Sequence, residues 1–145
     1  MMRKIVVGVD GSPTGQAALA WAKGEAKLRG CSLDVVHAWE YPYQGPRTTV
    51  TEPRELMELD AAKELQAAFK GLDFEADDGL EVHHELLEGN AAKVLINASN
   101  DADLLVVGSR GRGGFASLLL GSTSHAVVQH AHCPVTVVPA PVAVG

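Results

Sequence analysis

Lys4-Ile5-Val6-Val7-Gly8-Val9-Asp10-Gly11-Ser12-Pro13 decides the fold. A short β-branched run reads as a strand buried on both faces. Asp10-Gly11 ends it. Ser12 then reads as a helix N-cap, with Pro13 at the first helical position. Strand, turn and helix within ten residues open an α/β unit. From Pro13 to about Gly30, Ala18, Ala22 and Ala26 stack at helical spacing with Trp21 beside them. A second strand follows at Leu33-Asp34-Val35-Val36-His37-Ala38-Trp39.

The alternation continues. Pro42, Gly45, Pro46 and Pro53 make residues 40 to 54 a long loop, of a length that is often functional. Ala61, Leu65, Ala68, Phe69 and Leu72 then form one apolar helical face. Residues 80 to 87 are a third, less apolar strand, expected near an edge. Gly89-Asn90 opens a short helix with Ala91, Val94, Leu95 and Ala98 inward. Leu104-Leu105-Val106-Val107-Gly108 is the most apolar strand and is expected at the centre. Ser122 to about Ala131 is the last helix, with Val127, Val128 and Ala131 apolar. Val135-Thr136-Val137-Val138 closes the sheet, and 139–145 reads as a frayed tail. Five strands alternating with four helices predict a doubly wound parallel α/β sheet with right-handed crossovers, in a single domain over 1–145.

Composition narrows the function. The 145 residues carry a formal charge of -6 and no basic run, a poor match to general nucleic-acid or membrane-surface binding. No run approaches the ~20 apolar residues of a membrane span. The opening Met-Met-Arg-Lys-Ile-Val-Val-Gly is no signal peptide. Cys31 and Cys133, each ahead of a strand, read as reduced and largely buried thiols. A cytoplasmic location is expected.

Ligands of open parallel sheets bind beyond the carboxyl ends of the strands, where strand order reverses. Two strand ends here are unusual. One is Gly8-Val9-Asp10-Gly11-Ser12. The other is Gly108-Ser109-Arg110-Gly111-Arg112-Gly113-Gly114, followed after a short apolar stretch by Gly121-Ser122-Thr123-Ser124 at a helix start. Gly108 and Gly111 allow a close approach of backbone to ligand. Small hydroxyls and amides at a helix N-terminus suit an anion, above all a phosphate chain. Arg110 and Arg112 add charge at the rim.

Gly108, two residues, Gly111, nine residues, Gly121 and Ser122 together resemble the nucleotide-binding subclass of the universal stress protein family. The opening Lys-Ile-Val-Val-Gly-Val-Asp-Gly-Ser, the Val-Val-His37-Ala-Trp strand and the closing His-Cys133-Pro-Val-Thr-Val-Val resemble the same family. The resemblance implies strand order 3-2-1-4-5 and an adenine nucleotide between the ends of the first and fourth strands. It implies that Gly8, Val9 and Asp10 lie along adenine and ribose. Backbone groups of Ala38 would meet the adenine edge, although Ala38 is smaller than the residue the family often has there. Val107, Gly108, Ser109, Arg110 and Gly111 would wrap ribose and phosphates, with Arg112 and Gly113 in the same segment. Gly121, Ser122, Thr123 and Ser124 would hold the phosphates. The expected ligand is ATP, with Mg near Asp10, and cyclic AMP is the alternative guest. The resemblance also implies a homodimer, and the short, apolar, uncharged strand at 134–138 is the edge through which it is expected.

Single residues have competing readings. Asp10 suits ribose or a metal-bound phosphate, or else local amides at a helix start. His37 on a buried strand reads as a hydrogen-bonded core histidine. Adjacent His83 and His84 point to opposite faces of a strand. His125, His130 and His132 lack the i, i+4 spacing of a zinc pair. No metal is expected on side chains alone. A flavin carrier fits poorly with 5% aromatic residues. A phosphorelay receiver lacks its acidic pair and its lysine. An ATP-cleaving pyrophosphatase lacks the paired glycines at the first strand end, and no base or nucleophile stands out. The expectation is a sensor or regulator with an unidentified protein partner, not an enzyme, with slow ATP hydrolysis at most.

Overall fold

The computed structural model describes residues 2–41, 53–72, 74, 79–110 and 120–139. Most of the expected loop at 40–54, the segment 111–119 and the tail beyond Pro139 lie outside the described residues. The elements are β1 (Lys4–Val9), α1 (Pro13–Arg29), β2 (Ser32–Trp39), α2 (Arg54–Ala68), β3 (Val82–Glu88), α3 (Ala91–Ala98), β4 (Leu104–Gly108), α4 (Ser122–His130) and β5 (Val135–Val138). One five-stranded sheet has the order β3-β2-β1-β4-β5, with every neighbouring pair parallel. That is the architecture the sequence predicts.

The sheet has two apolar faces because helices cover both. Ile5, Val7 and Val9 of β1 meet Ala18, Leu19, Ala22 and Ala26 of α1 and Leu65 and Ala68 of α2. Val6, Val36, Leu105 and Val107 meet Leu95 of α3 and Val127 of α4 on the other side. β1 is the middle strand, and β4 lies beside it instead of at the centre. Apolarity reports burial on both faces, which β1 and β4 share, and does not rank their distance from the edge. β3 and β5 are the edges, as their composition suggests.

Local signals set most boundaries. Ser12 accepts a hydrogen bond from the Gly15 amide, Pro13 follows, and Gly30 ends α1 at a φ of 67° with its amide on the Ala26 and Lys27 carbonyls. Asn90 caps α3 by accepting from the Lys93 amide. α2 stops at Ala68, short of the predicted face. Phe69 is its C-cap and Gly71 turns at a φ of 82°. Phe69 and Leu72 still pack on the core beyond the helix, and Phe69 meets Phe74 edge-on with centroids 5.1 Å apart. Val128 is 47% exposed, on the outer side of α4. Cys31 is buried but Cys133 only partly so. Desolvation pushes both thiols above their ordinary range.

Two polar contacts tie the sheet across long sequence distances. The Asp103 carboxylate accepts from the amides of Arg3 and Lys4, and those bonds hold its carboxyl below the usual range. The Ser99 hydroxyl is fully buried and accepts from the His132 amide at 2.9 Å. No helix among the described residues is long and apolar enough to cross a membrane.

Candidate functional site

β1 and β4 are neighbours whose chains leave the sheet in different directions, β1 into α1 and β4 toward α4. A cleft of about 510 Å³, counted out to its open mouth, lies at their carboxyl ends. Its apolar wall is Val36 and Ala38 of β2, Ala91 and Leu95 of α3, and Val107 of β4. Its polar side holds Asp10, Ser12, Thr14, Gly15, Arg110, Thr123 and Ser124, and Gly8, Val9 and Gly108 complete the lining. One half thus suits a flat apolar group and the other an anion.

Two helices begin at the polar side, and they differ. The start of α1 is already satisfied. The Asp10 Oδ1 accepts from the Ser12 amide at 2.9 Å, and the Ser12 hydroxyl accepts from the Gly15 amide at 3.2 Å. The Ser12 and Thr14 hydroxyls, 3.2 Å apart, both reach the Arg110 carbonyl. The start of α4 has no side-chain cap. Its first helical bond runs from the His125 amide to the Gly121 carbonyl at 2.9 Å. The amides of Ser122, Thr123 and Ser124 come before it, so the positive end of that helix is left without a side-chain cap beside the cleft.

The predicted residues separate into three groups. Gly8, Val9, Asp10, Ala38, Val107, Gly108, Arg110, Thr123 and Ser124 line the cleft. Ser109, Gly121 and Ser122 are not among its lining. The Ser109 amide donates to the Val138 carbonyl, and its carbonyl accepts from the Gly121 amide at 2.7 Å and the Ser124 hydroxyl at 3.0 Å. The Gly121 amide is therefore engaged inside the fold, and the free amides of the helix start begin one residue later. Gly111, Arg112 and Gly113 lie outside the described residues. Asp10 fits both of its readings: it holds a local amide and it borders the cleft.

The sequence reading missed Ser12, Thr14 and Gly15 as lining residues, since Ser12 was fully explained as a helix cap. It also missed Val36, Ala91 and Leu95, which read as core. Their signal was position: each sits at the carboxyl end of the sheet. Gly108 has a sharper reason than loop freedom. A Cβ built there would lie 2.7 Å from the Thr14 backbone carbon and 2.5 Å from its hydroxyl oxygen. Among the described residues no group of three or more His, Cys, Asp or Glu side chains could hold a metal ion.

Residues 1–139 match the Universal stress protein family. A universal stress protein of Mycobacterium tuberculosis, Rv2623, is 37% identical over 144 residues, covering 92% of this chain and 46% of its own. Another from that organism, Rv1996, is 34% identical over 152 residues, covering 93% and 47%. The chain spans about half the length of the curated relatives it matches. Among solved structures, the universal stress protein UspA from Lactobacillus plantarum superposes with a TM-score of 0.81 at 26% identity, covering 94% of this chain and 97% of its own. A universal stress protein in complex with cAMP gives 0.61 at 24% identity, with 94% and 96% covered. An Arabidopsis thaliana family member with AMP bound gives 0.60 at 20% identity, with 96% and 92% covered. The last two show a shared fold. The cleft lies where α/β sheets of this winding hold their ligands, and the chain belongs to the universal stress protein family.

Replacing Gly108 by alanine tests the packing that shapes this cleft. The methyl group meets backbone, which cannot swing away as a side chain can. The expected cost is about 1–3 kcal/mol of folding stability, as for other overpacked sites. Urea unfolding of Gly108→Ala checks it, and a midpoint equal to that of the parent protein would show that α1 accommodates the methyl freely.

Proposed function

We propose that this chain binds an adenine nucleotide, ATP in the first instance, and acts as a sensor or regulator with little or no turnover. The observation that carries this is the division of the cleft. An apolar wall at Val36, Ala38, Leu95 and Val107 faces an uncapped helix start at Ser122–Ser124.

 A nucleotide has the same division, a flat base at one end and phosphates at the other. The -6 formal charge of the whole chain does not oppose this, because the helix N-terminus and Arg110 supply a local positive field. Two proteins of the same fold, one in complex with cAMP and one with AMP bound, support an adenine guest. Cyclic AMP is the second reading, favoured by the first of these. Asp10 is the one carboxylate among the described lining residues, so a magnesium ion carried by a triphosphate would meet it there.

Calorimetric titration with ATP, ADP, AMP, cyclic AMP and GTP tests the reading. The expected result is micromolar binding of ATP, roughly -8 kcal/mol, with GTP weaker. No heat with any adenine nucleotide would remove the proposal, and tighter binding of cyclic AMP would change the guest. Gly121→Val is expected to abolish binding and, because Gly121 is buried with its amide held by the Ser109 carbonyl, also to lower the melting temperature. Gly121 has an extended backbone (φ -71°) that a valine can adopt, and the branched side chain would crowd the start of α4.

Slow or absent turnover is the reading that the described lining supports. Fast hydrolysis needs a group that orients water in line with the γ-phosphate, together with charge on the transferring group. Arg110 supplies charge. Asp10 already accepts the Ser12 amide, and a role toward ribose or magnesium suits it better than activating water. Single-turnover assays with labelled ATP and magnesium are expected to show rates well below ~1 per second, an ordinary enzymatic rate. Hydrolysis at or above that rate would make the protein an ATPase.

We also propose a homodimer through β5. This strand is an edge, carries no charge, and its four residues are half-buried in the single chain. Such an edge pairs readily with its own copy. Sedimentation at tens of micromolar is expected to give a dimer that Val135→Pro with Val137→Pro disrupts, and a dimer unchanged by both prolines would place the interface elsewhere.

A further inference from the structure

His37 is 4% exposed and sits on β2 directly before Ala38, which lines the cleft. Its side chain points to the opposite face of the sheet, toward α2. Nδ1 lies 2.8 Å from the Val9 carbonyl, the last carbonyl of β1, and Nε2 lies 2.9 Å from Oε2 of Glu64 on α2. A carbonyl only accepts, so Nδ1 carries the hydrogen and donates it. The Glu64 carboxyl group anchors the other ring nitrogen. The imidazole therefore bridges the end of β1 and the middle of α2.

The Val9 carbonyl belongs to a peptide bond that matters to the cleft. Its other half is the Asp10 amide. A trans peptide is planar, and its C=O and N–H point in opposite directions. Fixing the carbonyl on His37 fixes the amide away from β2, on the side of α1, where the Asp10 nitrogen lies 3.4 Å from a Cβ built at Gly15. Asp10 and Gly15 both line the cleft, and the Asp10 carboxylate holds the Ser12 amide. Freed from the imidazole, this peptide could rotate, and Asp10 would turn with it.

α2 makes further polar contacts near both ends, and the Gln16 side-chain amide donates to the Ala67 carbonyl in its last turn. At its first residue, Arg54 pairs with Glu88 at the end of β3 and lies over the rings of Trp39 and Tyr41, 5.3 and 5.5 Å from their centroids. The buried residues of α2 are Ala61, Leu65 and Ala68, with Met57 and Ala62 half-buried, while Leu56 and Leu59 are each 50% exposed. Among these polar contacts of α2, Glu64 is the one that leads to the cleft.

We propose that His37, held by Glu64, is a positioning residue of the cleft. It sets the Val9–Asp10 peptide and couples the docking of α2 to ligand affinity. The affinity part rests on the nucleotide reading above, whereas the positioning part does not. Two measurements keep them apart. Amide hydrogen exchange of the ligand-free protein reads the peptide itself, and calorimetric titration with ATP reads the cleft. His37→Leu fills the space without a donor. His37→Asn keeps an N–H near the place of Nδ1. Glu64→Ala removes the anchor on α2.

In His37→Leu, exchange at Asp10, Gly11 and Ser12 is expected to quicken roughly tenfold, the scale of one hydrogen bond to a buried carbonyl, with Val6 and Val7 unchanged. ATP affinity is expected to fall by a similar factor. His37→Asn is expected to restore most of both, and Glu64→Ala to fall between. If His37→Leu does not fold, His37→Asn and Glu64→Ala carry the comparison against the parent protein, with Glu64→Ala the faster exchanger at Asp10–Ser12. Exchange at Asp10–Ser12 equal to that of the parent, with only the melting temperature lowered, would reduce His37 to a core residue and overturn the proposal. A parent protein that binds no adenine nucleotide would instead overturn the nucleotide reading, while the exchange result still decides the positioning role.

Discussion

The first turn of α1 presses on the end of β4 so closely that no side chain fits between them. Gly108 leaves the space, and Thr14 occupies it. The contact joins two segments far apart in the chain and fixes where the cleft opens. With Thr14 in place, its hydroxyl and that of Ser12 reach the Arg110 carbonyl, which sets the direction in which the chain leaves β4. Ser109 follows from that direction. Its amide bonds to Val138 and its carbonyl receives Gly121 and Ser124, so the start of α4 is placed by the same turn. Without the close approach at Gly108, neither the polar side of the cleft nor its helix start would be located.

The electrostatics of the cleft come from an asymmetry between two helix ends. α1 satisfies its own N-terminus with Asp10 and Ser12. α4 begins at a glycine that has no side chain to offer. Both ends carry partial positive charge, but only the second is left for something outside the chain. An acidic protein can therefore present a confined anion site. The lone arginine at 110 among the described lining residues adds to that field without reversing the overall charge.

Much of this was legible in the sequence because the signals are local. Ser12-Pro13 and Gly30 bound α1, β-branched runs mark the strands, and alternation alone predicts the winding. Contacts between distant residues were not legible. Nothing near Gly108 says that Thr14 will lie against it, so the glycine read as loop freedom when its cause is packing. Phe69 and Leu72 kept helical spacing, but Gly71 turned the chain first. The engagement of the Gly121 amide by Ser109 depends on a turn that no spacing rule describes. His37 was legible as a hydrogen-bonded core residue, yet its partner Glu64 could not be named, because the pairing depends on how α2 lies across the sheet.

The polar side of the cleft is assembled from two segments far apart in the sequence. Gly8, Val9, Asp10, Ser12, Thr14 and Gly15 form one part, and Val107, Gly108, Arg110, Thr123 and Ser124 another. During synthesis the first part is made early and has no counterpart until β4 and the start of α4 have left the ribosome. A ligand held between them cannot assist the early steps of folding and contributes only once the parallel crossovers are complete. A chain that stalls or is cut before β4 would have a helix start and half a sheet, but nothing that grips. Occupancy of the cleft would then distinguish finished molecules from unfinished ones, protecting the former from proteolysis and leaving the latter exposed.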